Sequence, residues 1–277
     1  MWGFEHYEPT LKVHLRAARF FLGLPKAAAI PAIIAQIDWL EPVFCTQLKM
    51  VRQYHRILKM EDSRLAKIIL KWDRQFSDQH NVPTWSNEVA SIFKNFQMEY
   101  FSANLELFPL RETINTLKLQ MKTQQSINLQ LKCQKMPKLR TYIKFKDFSI
   151  IPSFLKKPLS FIQRKHLNKF CLSCLELKIE TGRYLQLPEN LRLCEVDDQC
   201  NRQALQESEC HFLLFCPAYK NIRQAWLSKL ELPVNFALLS DEKKLSVVIN
   251  DINNVKQTAQ FIIDAFNMRT KILFAKN

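Results

Sequence analysis

The sequence predicts a mainly α-helical protein: a helical array with a short extended basic arm and a small Cys/His zinc-knuckle-like element. Three observations carry that reading. Glycine is scarce, with Gly3, Gly23 and Gly182 the whole set in 277 residues, and all-β folds need glycine-rich turns. Runs rich in Leu, Ile, Lys and Gln carry apolar residues at helical spacing. One polar stretch, residues 189–223, gathers four of the eight cysteines together with His211 and has little apolar material to fold around. The length suits one large or two modest domains.

The elements follow in order. Residues 10–22 read as a helix with Leu11, Leu15, Ala18 and Leu22 on one face, and Gly23 stands where a terminal glycine belongs, with Pro25 after it. Pro42 opens the next helix, on which Phe44, Leu48, Val51, His55 and Leu58 share a face. His55 on that stripe reads as a packed histidine. A third helix, capped by Asp62 or Ser63, places Leu65, Ile69, Trp72 and Phe76 at helical spacing. Thr84 starts a fourth, with Trp85, Val89, Ile92, Phe96 and Tyr100 as core aromatics and aliphatics. After Pro109 comes a long amphipathic helix carrying Leu110, Ile114, Leu117 and Met121.

Composition changes near Met136-Pro137, the expected domain boundary: residues 1–136 form a helical region, and 137–277 hold the basic arm, the Cys/His element and C-terminal helices. Residues 138–148 alternate bulky and basic side chains, as a short strand or an extended arm would. A helix over 159–177 contains Cys171-x2-Cys174, which its apolar flanks mark as buried thiols. Residues 179–184 read as a turn around Gly182. Helices close the chain near 219–230 and 255–274.

Charge is the strongest compositional fact. The chain carries a net +14. Residues 118–169 hold thirteen Lys/Arg against one acid, Asp147, so twelve of the fourteen net charges fall in that window. A concentrated basic stripe points to a polyanion, most often RNA or DNA. Lys138, Arg140, Lys144, Lys146, Lys156 and Lys157 are the cations expected on phosphates, and Tyr142 would add stacking on a base.

Cys194, Cys200, His211 and Cys216 form a C-x5-C-x10-H-x4-C series, the four soft or borderline ligands that Zn2+ takes in a tetrahedron. Cys210 is a spare thiol beside His211. Acids at Glu5 and Glu8, ahead of any apolar run, give no signal-peptide pattern, and Pro31 cuts the most apolar stretch, so no membrane span is expected. The cysteines are then expected reduced, in an intracellular protein of nucleus or cytoplasm. Scarce glycine excludes G-x-G-x-x-G and P-loop phosphate cradles. Neither G-x-S-x-G nor H-E-x-x-H occurs. Asp197-Asp198 lacks the aromatic two positions before it that a reverse-transcriptase catalytic turn carries. No enzyme activity is expected.

Several segments together resemble one family, the region downstream of the polymerase domain in LINE-type (non-LTR) retrotransposon reverse-transcriptase polyproteins. They are Met1-Trp2-Gly3-Phe4-Glu5 with His14-Leu-Arg16 and residues 20–25; Lys138-Leu-Arg-Thr-Tyr142 with Phe145-Lys146; Ile179-Glu-Thr-Gly-Arg-Tyr184; and Arg192-Leu-Cys194 followed by Glu209-Cys-His-Phe-Leu-Leu-Phe-Cys-Pro217, Tyr219 and Arg223. The resemblance implies a zinc-knuckle-like element that handles element RNA or target DNA during target-primed reverse transcription, with a reverse-transcriptase partner acting in trans. It carries over Cys194, His211 and Cys216 as ligands. The family pattern sets its second cysteine at the position of Asp197; here Cys200 or Cys210 substitutes. Two rival expectations are a helical scaffold or interaction protein and a non-functional relic of an element.

Overall fold

The computed structural model describes residues 8–276, so Met1–Glu5, one block of the resemblance, lies outside the described residues. Among the described residues the protein is mainly helical and has no strand. In chain order the helices are α1 (Glu8–Leu22), α2 (Ile30–Ile37), α3 (Pro42–Leu58), α4 (Leu65–His80), α5 (Trp85–Asn95), α6 (Glu99–Ala103), α7 (Leu110–Gln134) and α8 (Tyr142–Phe145). They continue with α9 (Ser153–Lys156), α10 (Phe161–Cys171), α11 (Lys178–Tyr184), α12 (Asp198–Arg202), α13 (Lys220–Leu227), α14 (Asp241–Asn250) and α15 (Val255–Lys276).

The chain divides into two compact units. One comprises Leu40–Asn128 with the start of α1 up to Lys12. The other combines Val13–Trp39 with the chain from Leu129 onward. The expected break near Pro137 thus lies a few residues downstream of the observed one, and Val13–Trp39 groups with the second unit instead of the first.

In the first unit, apolar faces of α3, α5 and α7 close one core: Leu48, Val51, Tyr54 and Leu58 meet Val89, Ile92 and Phe93, with Ile114, Leu117 and Met121 completing it. Thr84 opens α5 with a capping box shared with Asn87, which satisfies amides that a helix start otherwise leaves unpaired. The α4 stripe behaves otherwise than its spacing suggests. Leu65, Ile69 and Trp72 are exposed, Trp72 at 59%, because the helix turns Leu70 and Ser77 inward. Neither Asp62 nor Ser63 caps it; Arg64 occupies the cap with no side-chain bond.

The second unit is built around α15, whose first half is buried through Val255, Ala259, Phe261, Ile262 and Ala265. It packs against α9, α10, α13 and α14, and Trp226 stacks on Phe261 at 4.4 Å between centroids. Gly23 ends α1 with φ +67°, and a Cβ there would stand 2.6 Å from Lys165 Cβ on α10. The predicted glycine stop is therefore also a close helix contact. Gln36 on α2 donates to Asn168 of α10 at 2.9 Å and accepts from the Tyr142 hydroxyl at 3.2 Å, so these buried polar groups satisfy one another.

Three local expectations change. Residues 138–148 are not an extended arm: Pro137–Leu139 is a 3-10 turn and Tyr142–Phe145 a helical turn. Their alternation hides a second period. Leu139, Tyr142 and Phe145 recur every three residues and are all buried. The 179–184 turn is α11, a helix with Gly182 inside it. The long 159–177 helix stops at Cys171, and Ser173 follows with φ +50°.

Candidate metal centre

The Cys/His element is assembled by short, specific local structures. An isolated antiparallel bridge joins Leu193 to Gln206, with Cys194 N donating to Leu205 O at 2.8 Å and Glu207 N to Arg192 O at 3.1 Å. This closes the polar insert into a loop and fixes Cys194. Inside the loop, Asp197 caps α12: its Oδ1 accepts from the amides of Gln199 and Cys200 at 2.9 and 3.2 Å. The aspartate at the expected ligand position is therefore a helix cap, and the helix it starts presents Cys200 one turn later. Past the bridge, Ser208 Oγ accepts from the His211 amide at 3.1 Å. A single π-helical turn, His211–Phe215, then closes with Cys216 N donating to His211 O at 2.8 Å. That wider turn sets ligands five positions apart on one side, where an α-turn would splay them.

The result is convergence. Cys194, Cys200, His211 and Cys216 are all buried, and their ligand atoms lie within 4.8 Å of one another. A zinc ion with bonds of about 2.3 Å to sulfur and 2.0–2.1 Å to nitrogen holds tetrahedral sulfurs about 3.8 Å apart and a sulfur–nitrogen pair about 3.6 Å apart. Cys194 Sγ and Cys216 Sγ stand 3.9 Å apart, and Cys200 Sγ stands 3.5 Å from His211 Nε2. Those two edges match a metal tetrahedron. The four residues can hold a metal ion, with Nε2 as the imidazole donor.

The electrostatics agree. The Cys194 thiol is drawn down to about 4, first by its hydrogen bond from Cys216, while that same bond and burial push Cys216 far up. Burial, then the charge on Cys194, pushes Cys200 up to about 12. A bound dication supplies the charge that three thiolates in one buried site would need. Cys210 stands outside the cluster, pushed up to about 12 by burial and by Asp241 and Glu242. Cys171 is buried and Cys174 half-buried, with Cys174 Sγ 3.3 Å from Leu172 O, and neither joins the group. Of the spare and substitute thiols, the geometry selects Cys200.

Around the centre, carboxylates meet arginines. Glu207 accepts from Arg269 through both oxygens, at 2.7 and 2.8 Å, and from the Lys178 amide. Glu209 takes Arg140 and the Thr141 hydroxyl, while Glu180 takes Arg140 at 2.8 Å. Arg192 reaches the carbonyls of Leu187 and Ile179, and its Cγ lies 2.7 Å from where a Cβ on Gly182 would be. Arg223 donates to Leu213 O and Cys216 O, the second at 2.7 Å. The conspicuous blocks around 140, 180, 192, 209 and 223 are thus parts of one clasp. Sequence reasoning missed Glu207, Glu209, Glu180 and Arg269 as its members; the signal was that two acids flank Ser208 in a stretch about to become buried.

The cations expected on phosphate divide accordingly. Lys138 is buried and donates to Ala27 O. Arg140 bridges two buried glutamates. Tyr142 is fully buried, which removes it as a stacking surface. Lys146 donates to Ile150 O at 2.9 Å, and burial pushes its ammonium down to about 8 against the pull of Asp38 and Asp147. Lys144 pairs with Glu242 at 3.2 Å. Lys156 is exposed, and Lys157 half-buried. No helix among the described residues is long and apolar enough to cross a membrane. No protein-family model, curated protein or solved structure matches the chain.

Proposed function

We propose that this chain is a non-catalytic, nucleic-acid-binding module whose Cys/His element is held by a structural zinc ion. The convergence of Cys194, Cys200, His211 and Cys216 carries the proposal; it is the four-ligand, closed donor set of a structural site. The net +14 supports a polyanion as partner. A binding role, not a catalytic one, is supported by how the acids are used. Asp197 caps α12, Asp198 pairs with Lys276 at 2.6 Å, and Glu180, Glu207 and Glu209 meet arginines. The LINE-type resemblance is part of the proposal, supported by its downstream blocks building one clasp; on that reading, a reverse transcriptase acts in trans.

Two measurements test it. Protein purified without added metal is expected to hold about one equivalent of zinc, released to a chromophoric chelator. Cys200→Ser abolishes retention, and Cys210→Ser leaves it intact. Zinc below about a tenth of an equivalent in folded protein retires the centre. For nucleic acid, a mobility shift with labelled RNA and DNA is expected to weaken steeply as salt rises. A second reading, a protein-interaction scaffold, is favoured by the exposed Leu65, Ile68, Ile69 and Trp72 on α4; it gains if no shift occurs even at low salt.

A further inference from the structure

Within the basic window Lys138, Arg140, Lys144, Lys146 and Arg164 are held by bonds inside the protein, and a separate concentration of exposed cations stands outside that window. It lies on α3. Lys49, Arg52, Arg56 and Lys59 occupy positions i, i+3, i+7 and i+10, one face of a helix, over about 15 Å. All four are exposed. With Gln53, His55 and Leu110 they line a cleft of about 500 Å³. A second cleft of about 390 Å³ shares Arg52 and Leu110 with it and adds Arg111, Ile114 and Asn115. The two form a continuous groove between α3 and the start of α7. No acidic side chain lines either part. Among the described residues, none of Lys49, Arg52, Arg56 or Arg111 has a carboxylate partner, and Lys59 makes only a bond to the Glu106 carbonyl.

This clustering is not a by-product of overall charge. Leu40–Asn128 carries twelve Lys/Arg and nine Asp/Glu, close to balance, yet five of the twelve cations line this one groove. Lys49–Arg52, Arg52–Arg56 and Arg56–Lys59 are like-charge neighbours on one helix, an arrangement that weakens the helix unless an anion sits between them. The opposite face of α3 is used in the core through Leu48, Val51, Tyr54 and Leu58, so the stripe is rigidly presented. Gln53 and Asn115 add uncharged donors and acceptors beside it, suited to sugar hydroxyls or base edges.

We infer that the α3 groove seats the phosphodiester backbone of one nucleic-acid strand. The inference rests on the nucleic-acid reading above and adds where the strand lies, in the unit that does not contain the metal centre. Arg52 and Arg56 present forked donors to phosphate oxygens, and Lys49 and Lys59 act as point charges at the ends of the stripe.

The test uses the full chain and a fluorescein-labelled 20-nucleotide oligo(U), titrated across a salt series. A variant combining Lys49→Gln, Arg52→Gln and Arg56→Gln is compared with one combining Arg64→Gln, Lys94→Gln and Lys118→Gln, which removes equal charge from the same unit. The groove variant is expected to lose at least about tenfold in affinity and to lower the salt slope by about 2, at roughly 0.7 per single-strand phosphate contact. The control keeps its slope. If the two variants match while wild type binds, the groove is wrong and the nucleic-acid reading stands. No binding by wild type at low salt overturns both, and polyglutamate competing as well as unlabelled oligo(U) also overturns the groove. Acetylation footprinting of the unaltered chain answers without relying on a variant's folding: oligo(U) protects Lys49 and Lys59 but not Lys94, and an unprotected Lys49 overturns the inference.

Discussion

Glu207 and Arg269 show how much of the second unit rests on single side chains. Both are buried, their two-pronged contact leaves neither charge alone, and the Lys178 amide takes up more of the carboxylate. Glu207→Ala strands a buried guanidinium and is expected to cost about 3–5 kcal/mol, read as a lower midpoint in urea unfolding; pairing it with Arg269→Met recovers most of that loss. Lys146 acts in the opposite sense. Its folded pKa, about 8, lies below the ordinary lysine value because burial disfavours the ammonium. Between about pH 8 and 10.4 the unfolded chain binds the extra proton, so stability rises with pH across that window, and below it the penalty is fully present. Lys146→Met is expected to stabilise the protein at pH 7 and to flatten that rise; an unchanged pH–stability profile would contradict the depressed lysine.

At the scale of elements, Gly182 runs against helix propensity. Alanine normally improves a helix interior over glycine by about 0.8–1 kcal/mol. At Gly182, inside α11, the new methyl meets Arg192 Cγ, and Arg192 is tied by two carbonyls. Gly182→Ala is therefore expected to destabilise, reversing the usual sign, and Gly182→Ala with Arg192→Ala to restore part of the helix gain; thermal melts of the single and double variants decide. Helix existence was legible wherever a stripe ran for three turns or more, as in α1, α3, α5, α7 and α15. The Cys/His ligands were legible from spacing, because cysteine and histidine in a polar run have few other uses. What was hidden depended on distant partners. Leu139, Tyr142 and Phe145 look like alternation until partners such as Gln36 on α2, which takes the Tyr142 hydroxyl, and α14, which packs on α8, are in place, and Arg140 looks like a phosphate ligand until Glu180 and Glu209 arrive from 40 and 69 residues away. Leu65 and Trp72 have the spacing of a core stripe, and only the placement of Leu70 shows which face is inside.

For the whole molecule, the metal centre and the aliphatic core built by α3, α5 and α7 belong to different units. Leu48, Val51, Phe93 and Leu117 bury their unit with no metal ligand among them, whereas the bridge, the caps and the clasp arginines all belong to the unit that holds Cys194, Cys200, His211 and Cys216. Chelation is therefore expected to act on one unit only. Calorimetry with and without EDTA should show the transition of the metal-holding unit falling by about 10 °C or more, as a lost structural zinc requires, with the other transition unmoved. A uniform shift of both would mean that the units do not melt separately.

The division of the chain also has a consequence for its synthesis. Val13–Trp39 is made before Leu40–Asn128, yet the rest of its unit begins only at Leu129, so Ala28, Ile33, Ile34 and Ile37 are expected to wait for their full burial while Leu40–Asn128 is made. That middle segment is continuous and has its own core, so it is expected to complete its fold first. The earlier segment meanwhile offers bare aliphatic surface, the kind that chaperones hold and that aggregates form on. Pro31, early in α2, and Asp38, in the left-handed conformation at its end, keep that waiting stretch from extending into a longer sticky helix.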